Sequence, residues 1–406
     1  MKKKTVCVIG LGYIGLPTAA LLANKGFSVS GIDINEEVVS NINQGKINFI
    51  ENNLNTFVKS AIKSGKLKAF SKIQPSDIYM ICVPTPFHKN KKIPKPNIDF
   101  VLSATKSIAN FIKPGDLIIL ESTCPVGTTI KLKEKLEDLN VNLKNVHIAY
   151  CPERVLPGKI MTELKDNDRV IGGLSNIATK EVSKFYKLFV DGKIFETDSK
   201  TAELCKLAEN SFRDVNIAFA NELSLICDNL GINVWDLIKI TNRHPRVNIL
   251  QPGPGVGGHC IAIDPWFIIS NDQENSKLIR IAREINNKKT SWVINKIKNA
   301  ENNFFSEKGY KPKIACLGMS FKPDIDDLRE SKALEVIESL LADKSDIVAV
   351  EPHIKSYMGL KLLKLSEALE ISDIICILVK HTKFLELEKK IKIKKFKILD
   401  FCGALS

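Results

Sequence analysis

The sequence predicts an α/β protein: two Rossmann-like doubly wound parallel-sheet domains joined by a central helical segment. Three observations carry that expectation. Short apolar strands alternate with helical stretches, the pattern of parallel βαβ units. A G-x-G-x-x-G run, Gly10-Leu11-Gly12-Tyr13-Ile14-Gly15, lies directly between the first strand and the first helix. A second series of strands opens at Lys313, after two long helical stretches. With 406 residues the chain exceeds one ordinary core, and it divides into expected domains at 1–198, 199–305 and 306–406.

Composition narrows the classes. A hydrophobic content of 44% suits a soluble globular protein, and no apolar run is long enough to span a bilayer. The basic start Met1-Lys2-Lys3-Lys4 resembles the head of a signal peptide, but its apolar run breaks at once into the glycine motif. It reads instead as the first strand of a cytoplasmic protein. The ten cysteines are scattered, with no C-x-x-C pair, so reduced thiols and no metal site are expected. The net charge of +13 is spread over helices and loops rather than gathered in a stripe. No nucleic-acid module is present, and phosphate-bearing small ligands suit the charge.

Residues 5–10 form the first strand, and a second, Ser28 to Ile32, ends at Asp33, 18 residues after Gly15. Gly10, Gly12 and Gly15 permit a tight turn and close approach of a pyrophosphate to the helix N-terminus. Asp33 accepts bonds from a ribose 2′-hydroxyl and repels a 2′-phosphate, which points to NAD rather than NADP. Further strands are expected at Asp77–Val83, Asp116–Glu121 and Val146–Tyr150, ending at Thr85, Thr123 and Glu153. Ligands of doubly wound sheets lie outside the carboxyl ends of the strands. Ordinary loop chemistry, including helix capping by Ser122 and Thr123, accounts for these residues equally well. His88 to Pro96 reads as a solvated surface loop.

A long helix is expected from about Lys200 to Asn229, with Asp198 and Ser199 as caps and Leu204, Leu207, Ala208, Val215, Ala218, Phe219 and Ile226 as its apolar face. Lys206, Asn210 and Arg213 share another face, either a solvated one or a set of donors lining a cleft. Thr241 to Asn248, with Arg243, His244 and Arg246, leads into Gly253-Pro254-Gly255-Val256-Gly257-Gly258-His259-Cys260-Ile261-Ala262-Ile263-Asp264. A glycine-dense loop lets backbone approach a ligand, and a cysteine at its end can serve as nucleophile. A tight loop with an inert buried thiol is the competing reading. A second long helix is expected from about Glu274 to Asn299. The last third holds strands near Lys313–Gly318, Ile347–Val350, Ile374–Val379 and Phe396–Leu399, with Lys322 and Arg329 either phosphate partners or members of a charged loop.

Taken together, Gly10–Gly15 with Asp33, Val83-Pro84-Thr85-Pro86, Ser122–Gly127, Pro152-Glu153-Arg154, Lys206 to Arg213, Gly255–Asp264 and Phe321–Ser331 resemble the UDP-sugar and GDP-sugar 6-dehydrogenases over nearly the whole chain. Glu153-Arg154-Val155-Leu156-Pro157-Gly158 and Arg243 through Cys260 are similar to the branch acting on UDP-N-acetylmannosamine; UDP-glucose relatives usually carry serine where His259 stands. The resemblance implies four-electron oxidation of a sugar C6 alcohol to a carboxylate with two NAD, through a Cys260 thiohemiacetal and thioester, for surface polysaccharide. By the same resemblance Lys206, Asn210, Asp264, Glu153 and Thr123 assist Cys260. Tyr13, Ile14, Asp33, Thr85, Thr123 and Arg329 contact NAD. The UDP-sugar meets Arg154, Val155, Lys206, Asn210, Arg213, His244, Arg246, Gly257, Phe321 and Lys322. A homodimer or higher homo-oligomer is implied, with neither nucleic acid nor membrane as partner. UDP-N-acetylglucosamine, or another UDP-hexose, is the rival substrate. A two-electron dehydrogenase and a non-catalytic nucleotide-sugar binder are the rivals on the same fold.

Overall fold

In the computed structural model the described residues are 4–47, 49, 51, 53–88, 93–156, 158–258, 260–357, 359–385 and 396–406. Pro157 and His259, singled out above, lie outside them. The chain forms two units, one of Met1–Glu209 with Trp266–Asp272 and the other of Asn210–Pro265 with Gln273–Ser406.

The first unit is built on a parallel sheet whose strands are β1 (Thr5–Ile9), β2 (Ser28–Ile32), β3 (Leu67–Phe70), β4 (Ile78–Ile81), β7 (Leu117–Leu120), β8 (His147–Tyr150), β9 (Arg169–Gly173) and β10 (Ile194–Asp198). Between β4 and β7 the two-residue strands β5 (Phe87–His88) and β6 (Lys95–Pro96) form a separate pair. The order in the large sheet is β10-β9-β8-β7-β4-β1-β2-β3, and only β8 and β9 run antiparallel. Central strands such as β4 and β7 are buried along their whole length, because helices cover both faces.

Two strands escape the sequence reading for physical reasons. β3, Leu67-Lys68-Ala69-Phe70, is too short to show a period. β9 ends in Gly172-Gly173, which reads as a loop; here a side chain at Gly172 would strike the Asp198 carbonyl and, at 2.7 Å, the Ala202 methyl. Of the segment expected as a surface loop from His88 to Pro96, residues 89–92 lie outside the described residues; at its ends Phe87 pairs with Pro96 and His88 with Lys95, the last two exposed.

In the second unit β11 (Ile314–Leu317), β12 (Ile347–Val350), β13 (Ile374–Ile377) and β14 (Lys397–Asp400) form a parallel sheet in the order β12-β11-β13-β14. Helices Lys277–Lys308 and Lys332–Ala342 bring Val293, Ile297, Val336, Ile337 and Leu340 onto Ile314 and Cys316. The first of these runs nine residues past its expected end, because Ala300 is still buried and Gly309, at φ 78°, supplies the left-handed stop.

The Ser199–Leu230 helix matches its expected span, but only part of its expected apolar face is buried: Leu207 and Ala218 are, whereas Leu204 is exposed. Asp198 does cap it, accepting from Thr201 N at 3.0 Å. Beyond Asn210 the buried side is largely polar: Ser211, Asp214, Asn221 and Ser224. Phe219 (52% exposed) and Ile226 (47%), expected on the apolar face, are exposed in the single chain, as is Phe212 (70%) one heptad earlier. Asp214 pairs with buried Arg283 at 2.6 Å and accepts from Asn286 Nδ2 at 2.8 Å, so the interior charge is compensated.

Lys289 is the exception in this interior. Its ammonium donates to Ser224 Oγ at 2.6 Å and lies 3.7 Å from the Trp292 ring centroid. Burial pulls its pKa down to about 7, against the opposing pull of Asp228. No helix among the described residues is long and apolar enough to cross a membrane.

A lysine whose folded pKa falls below its unfolded value binds fewer protons folded than unfolded, so its penalty is full below about 7 and fades as pH rises toward the unfolded value. Lys289→Met is therefore expected to raise the thermal midpoint at pH 6.5, and its advantage over the wild type to shrink in melts taken up to pH 9. An advantage independent of pH would show that the amine is not held neutral.

Candidate active site

The dinucleotide cradle is shaped by what cannot fit. Gly10 sits at φ 92°, where a Cβ would lie 2.7 Å from the Cys82 carbonyl oxygen. A Cβ at Gly15 would strike the Gly10 carbonyl, whereas at Gly12 nothing lies within 4 Å. The turn is thus closed against its own strands and open at Gly12, as close approach by a phosphate group requires. Asp33 Oδ2 accepts from Leu11 N at 3.0 Å and Oδ1 from Asn35 N at 2.9 Å, so the carboxylate ties the glycine turn to the end of β2. Tyr13 stacks on Phe49 at 4.3 Å, and Ile14 is half-buried beside it.

At the same sheet edge Thr85 and Thr123 meet: the Thr85 hydroxyl donates to the Thr123 carbonyl at 2.5 Å. Neither Ser122 nor Thr123 caps the following helix; the Ser122 hydroxyl donates to Val83 O at 2.7 Å, and the cap position belongs to Gly127. The turn is held by Glu203, a residue the sequence did not single out. Its buried carboxylate accepts from Gly127 N (2.6 Å), Thr129 N (2.8 Å) and the Thr129 hydroxyl (2.7 Å).

Glu153, just beyond β8, is buried and pairs with Arg169 at 2.7 Å, while its other oxygen accepts from Arg154 N at 2.6 Å. Arg169, itself 1% exposed, was missed because an arginine opening a strand looks like an edge charge. Glu121 lies in the same buried group, bound to the Tyr186 hydroxyl at 2.5 Å and to the Cys82 thiol at 3.2 Å. Burial pushes the Glu121 carboxyl up, and the Glu153 charge pushes it further. Arg154 turns outward and is gripped by Glu209 through Nε (3.1 Å) and Nη2 (2.7 Å); Val155 packs on the core.

In the second unit the cysteine loop is braced at both ends and in its middle. Asn221 Oδ1 accepts from Gly253 N at 2.9 Å, and the Thr290 hydroxyl donates to Pro254 O at 2.9 Å. Gly255, at φ 144°, has no room for a side chain, since a Cβ would lie 2.5 Å from the Thr290 hydroxyl. Gly257 passes against the Glu330 carbonyl, and Gly258, at φ 84°, against the Phe321 ring, 2.9 Å from where its Cβ would stand. Cys260 follows, and its carbonyl accepts from Ile263 N (3.0 Å) and Asp264 N (2.8 Å), opening the Asp264–Asn271 helix. Asp264 is 2% exposed, and Asn210 Nδ2 donates to its Oδ2 at 2.6 Å.

Of the ten cysteines, all described, Cys260 alone is exposed. Burial pushes the Cys7, Cys151 and Cys316 thiols up to about 12, and holds Cys82, Cys124 and Cys376 well above the usual thiol range. Cys260 is thus not the buried thiol of the competing reading.

The remaining candidates are more dispersed. Lys206 is half-buried and precedes Asn210 by one helical turn, whereas Arg213 is exposed. His244 and Arg246 are exposed on a loop closed by Asn242, whose amide donates to Ile249 O (2.9 Å) and accepts from Ile249 N (2.7 Å). Lys322 is exposed beside Phe321, and Arg329 is gripped by Asp327 through Nε at 2.9 Å and Nη2 at 2.5 Å.

Three family models match consecutive parts of the chain. They describe the NAD binding domain (residues 4–190), the central domain (200–288) and the UDP binding domain (315–406) of the UDP-glucose/GDP-mannose dehydrogenase family. The UDP-N-acetyl-D-mannosamine dehydrogenase of Campylobacter jejuni is 48% identical, covering 98% of this chain and 98% of its own. An NDP-N-acetyl-D-galactosaminuronic acid dehydrogenase of Ralstonia nicotianae is 47% identical over 95% of this chain and 92% of its own. A solved UDP-D-ManNAc dehydrogenase from Pyrococcus horikoshii superposes with a TM-score of 0.89 at 37% identity, covering 99% of this chain and 96% of that one.

Removing Arg169 strands a buried carboxylate. Arg169→Met is expected to lower stability by about 3–5 kcal/mol in urea melts. Adding Glu153→Gln should recover part of that loss, since the unpaired charge goes with it. A double variant no more stable than Arg169→Met would mean the pair is not the reason for the loss.

Proposed function

This chain belongs to the UDP-glucose/GDP-mannose dehydrogenase family, and from that premise we propose that it oxidises C6 of UDP-N-acetyl-D-mannosamine to the uronate with two NAD. The observation that carries the chemistry is the arrangement at Cys260: the one exposed thiol, at the end of a braced glycine loop, one turn before a buried Asp264 held by Asn210. A two-electron dehydrogenase has no need of such a thiol, and a binding protein has no need of the carboxylate behind it.

NAD fits the first unit by the shape of the Gly10–Gly15 turn, where Gly12 leaves open space and Asp33 stands at the end of β2. Tyr13, Ile14, Thr85 and Thr123 complete its surroundings, and Arg329 is also assigned to the cofactor. When bound, NAD supplies the hydride acceptor for both oxidations. The chain's own residues do the rest. Lys206 takes the C6 hydroxyl proton and faces the developing oxyanion, with Asn210 beside it. Cys260 adds as thiolate to the aldehyde carbon, giving a thiohemiacetal; loss of hydride from that carbon leaves a thioester, which water cleaves to the carboxylate and the thiol. Asp264, Glu153 and Thr123 orient that water. Covalent capture keeps the aldehyde on the protein between the two steps.

Phe321, Lys322, Gly257, Arg213, His244, Arg246, Arg154 and Val155 are the groups assigned to the UDP-sugar: charged donors for phosphates, a ring and a bare backbone for the flat parts. The assembly is a homodimer. Phe212, Phe219 and Ile226 recur every seven residues on one exposed face of the Ser199–Leu230 helix, a stripe suited to its own copy. The reaction belongs to the cytoplasm and supplies an acidic amino sugar for surface polysaccharide.

The Ralstonia relative keeps the galacto epimer in view, so the test is a panel of UDP-N-acetylmannosamine, UDP-N-acetylglucosamine, UDP-N-acetylgalactosamine and UDP-glucose, each with NAD. About two NADH per UDP-N-acetylmannosamine are expected; turnover confined to another sugar would overturn the assignment. Cys260→Ala should form no uronate, and undiminished four-electron turnover by that variant would refute covalent capture. Sedimentation of the wild type at monomer mass would dispose of the dimer.

A further inference from the structure

We propose that His381 and Glu351 are positioning residues that hold the Phe321–Lys322 segment in its binding conformation and, through Phe321, set the place of the Cys260 loop. The inference rests on the functional reading above and concerns two side chains to which that reading gives no part.

Both groups are fully enclosed. His381 is 0% exposed, and so is the Glu351 side chain; the two meet at 3.1 Å between Nε2 and Oε2. The tautomer follows from the partners. Asp324 N, which can only donate, lies 2.9 Å from His381 Nδ1, so Nδ1 carries the lone pair and Nε2 the proton directed at Glu351. Glu351 Oε2 also accepts from Met319 N at 2.7 Å and Ser320 N at 3.2 Å, and its Oε1 from His353 N at 3.0 Å. The buried Ser320 hydroxyl donates to Lys322 O at 2.8 Å. One imidazole–carboxylate pair thus anchors the backbone on both sides of Phe321 and Lys322, at residues 319, 320 and 324.

That anchoring is needed because the segment is bent against its preference. Asp324 and Glu330 are non-glycine residues at φ 59° and 52°, in the left-handed region, where Asp is tolerated and Glu is uncommon. Thr382 secures the first, its N–H and hydroxyl donating to the two Asp324 oxygens at 2.9 and 2.6 Å. The bend presents Phe321 and the Glu330 carbonyl to Gly257 and Gly258. A shift of the segment therefore moves the surface on which the cysteine loop rests.

Asp324, His353 and His381 also bring ligand atoms within 4.8 Å of one another, the spacing of a cation site. The Nδ1 lone pair and both Asp324 oxygens are already engaged by protein donors, so the cluster is assigned to the clamp.

The test separates positioning from mere stability. UDP binding by calorimetry and the KM values for UDP-sugar and NAD are measured on full-length variants. His381→Ala is expected to weaken UDP and raise the UDP-sugar KM by about tenfold or more, with the NAD KM unchanged. His381→Asn places an oxygen near the Nδ1 position and should recover most of the UDP affinity; it also serves if the alanine variant fails to fold. Ile375→Ala, in the buried core of the same sheet, should lower the thermal midpoint without touching UDP affinity. Wild-type UDP affinity in His381→Ala, no rescue by asparagine, or an equal loss in Ile375→Ala overturns the proposal. A wild type that oxidises no UDP-sugar would instead defeat the functional reading itself.

Discussion

A loop made of glycine cannot hold itself in place. Gly253 to Gly258 offers no side chain larger than Pro254 and Val256 for packing, and glycine loses more freedom on ordering than any other residue. The chain meets this constraint from outside. Asn221 and Thr290 fix the entry to the loop, Phe321 and Glu330 define its floor, and the Asp264 helix, steadied by Asn210, fixes its exit. Four braces from three parts of the second unit converge on the six residues Gly253–Gly258. Much of the polar interior follows from that requirement, since Asn221 presents its oxygen to Gly253 while its amide is taken by Asn286, which is held in turn by Asp214, itself paired with Arg283.

The first unit solves a related problem with charge. Glu153 and Glu121 occupy one buried group around a single arginine. Two ionised carboxylates there would repel, so the pair divides: one is matched to Arg169, the other is driven toward its protonated form and bonded to a phenol and a thiol. Buried ion pairs add little net stability over a packed apolar core, but they fix direction. The cost of enclosing these groups is repaid in the orientation of Glu153 at the carboxyl edge of the sheet.

The legible part of this architecture is the part with a period or a forced geometry. Gly10, Gly12, Gly15 and Asp33 announce their turn because few other residues fit it, and continuous apolar runs announce β1, β4, β7, β11 and β13. The faces of the Ser199–Leu230 helix were misread for a definable reason: hydrophobicity marks what leaves water, not what it meets. Phe219 and Ile226 are apolar yet exposed in one chain, where the proposed dimer would cover them, and Asp214 and Asn221 are polar because of a network drawn from a helix some 65 to 72 residues away. Glu203 and His381 are invisible for the same reason, since each acts on a segment remote in sequence. Local pattern made the groups assigned to the chemistry candidates and the family resemblance gave them roles; the groups that steady them are set by tertiary contact.

The distribution of thiols has a consequence of its own. Seven cysteines have their pKa raised by burial, and Cys260 is the one that solvent reaches freely. Electrophiles and peroxides attack accessible thiolates, so damage to this protein concentrates at one atom. With Cys260 in its proposed role, oxidative stress would silence the protein while leaving both cores folded, and a reductant able to return a sulfenic acid to the thiol would restore it without any refolding. The chain is thus vulnerable as a catalyst and durable as a fold, with both properties set by which sulfur atoms the packing shuts away.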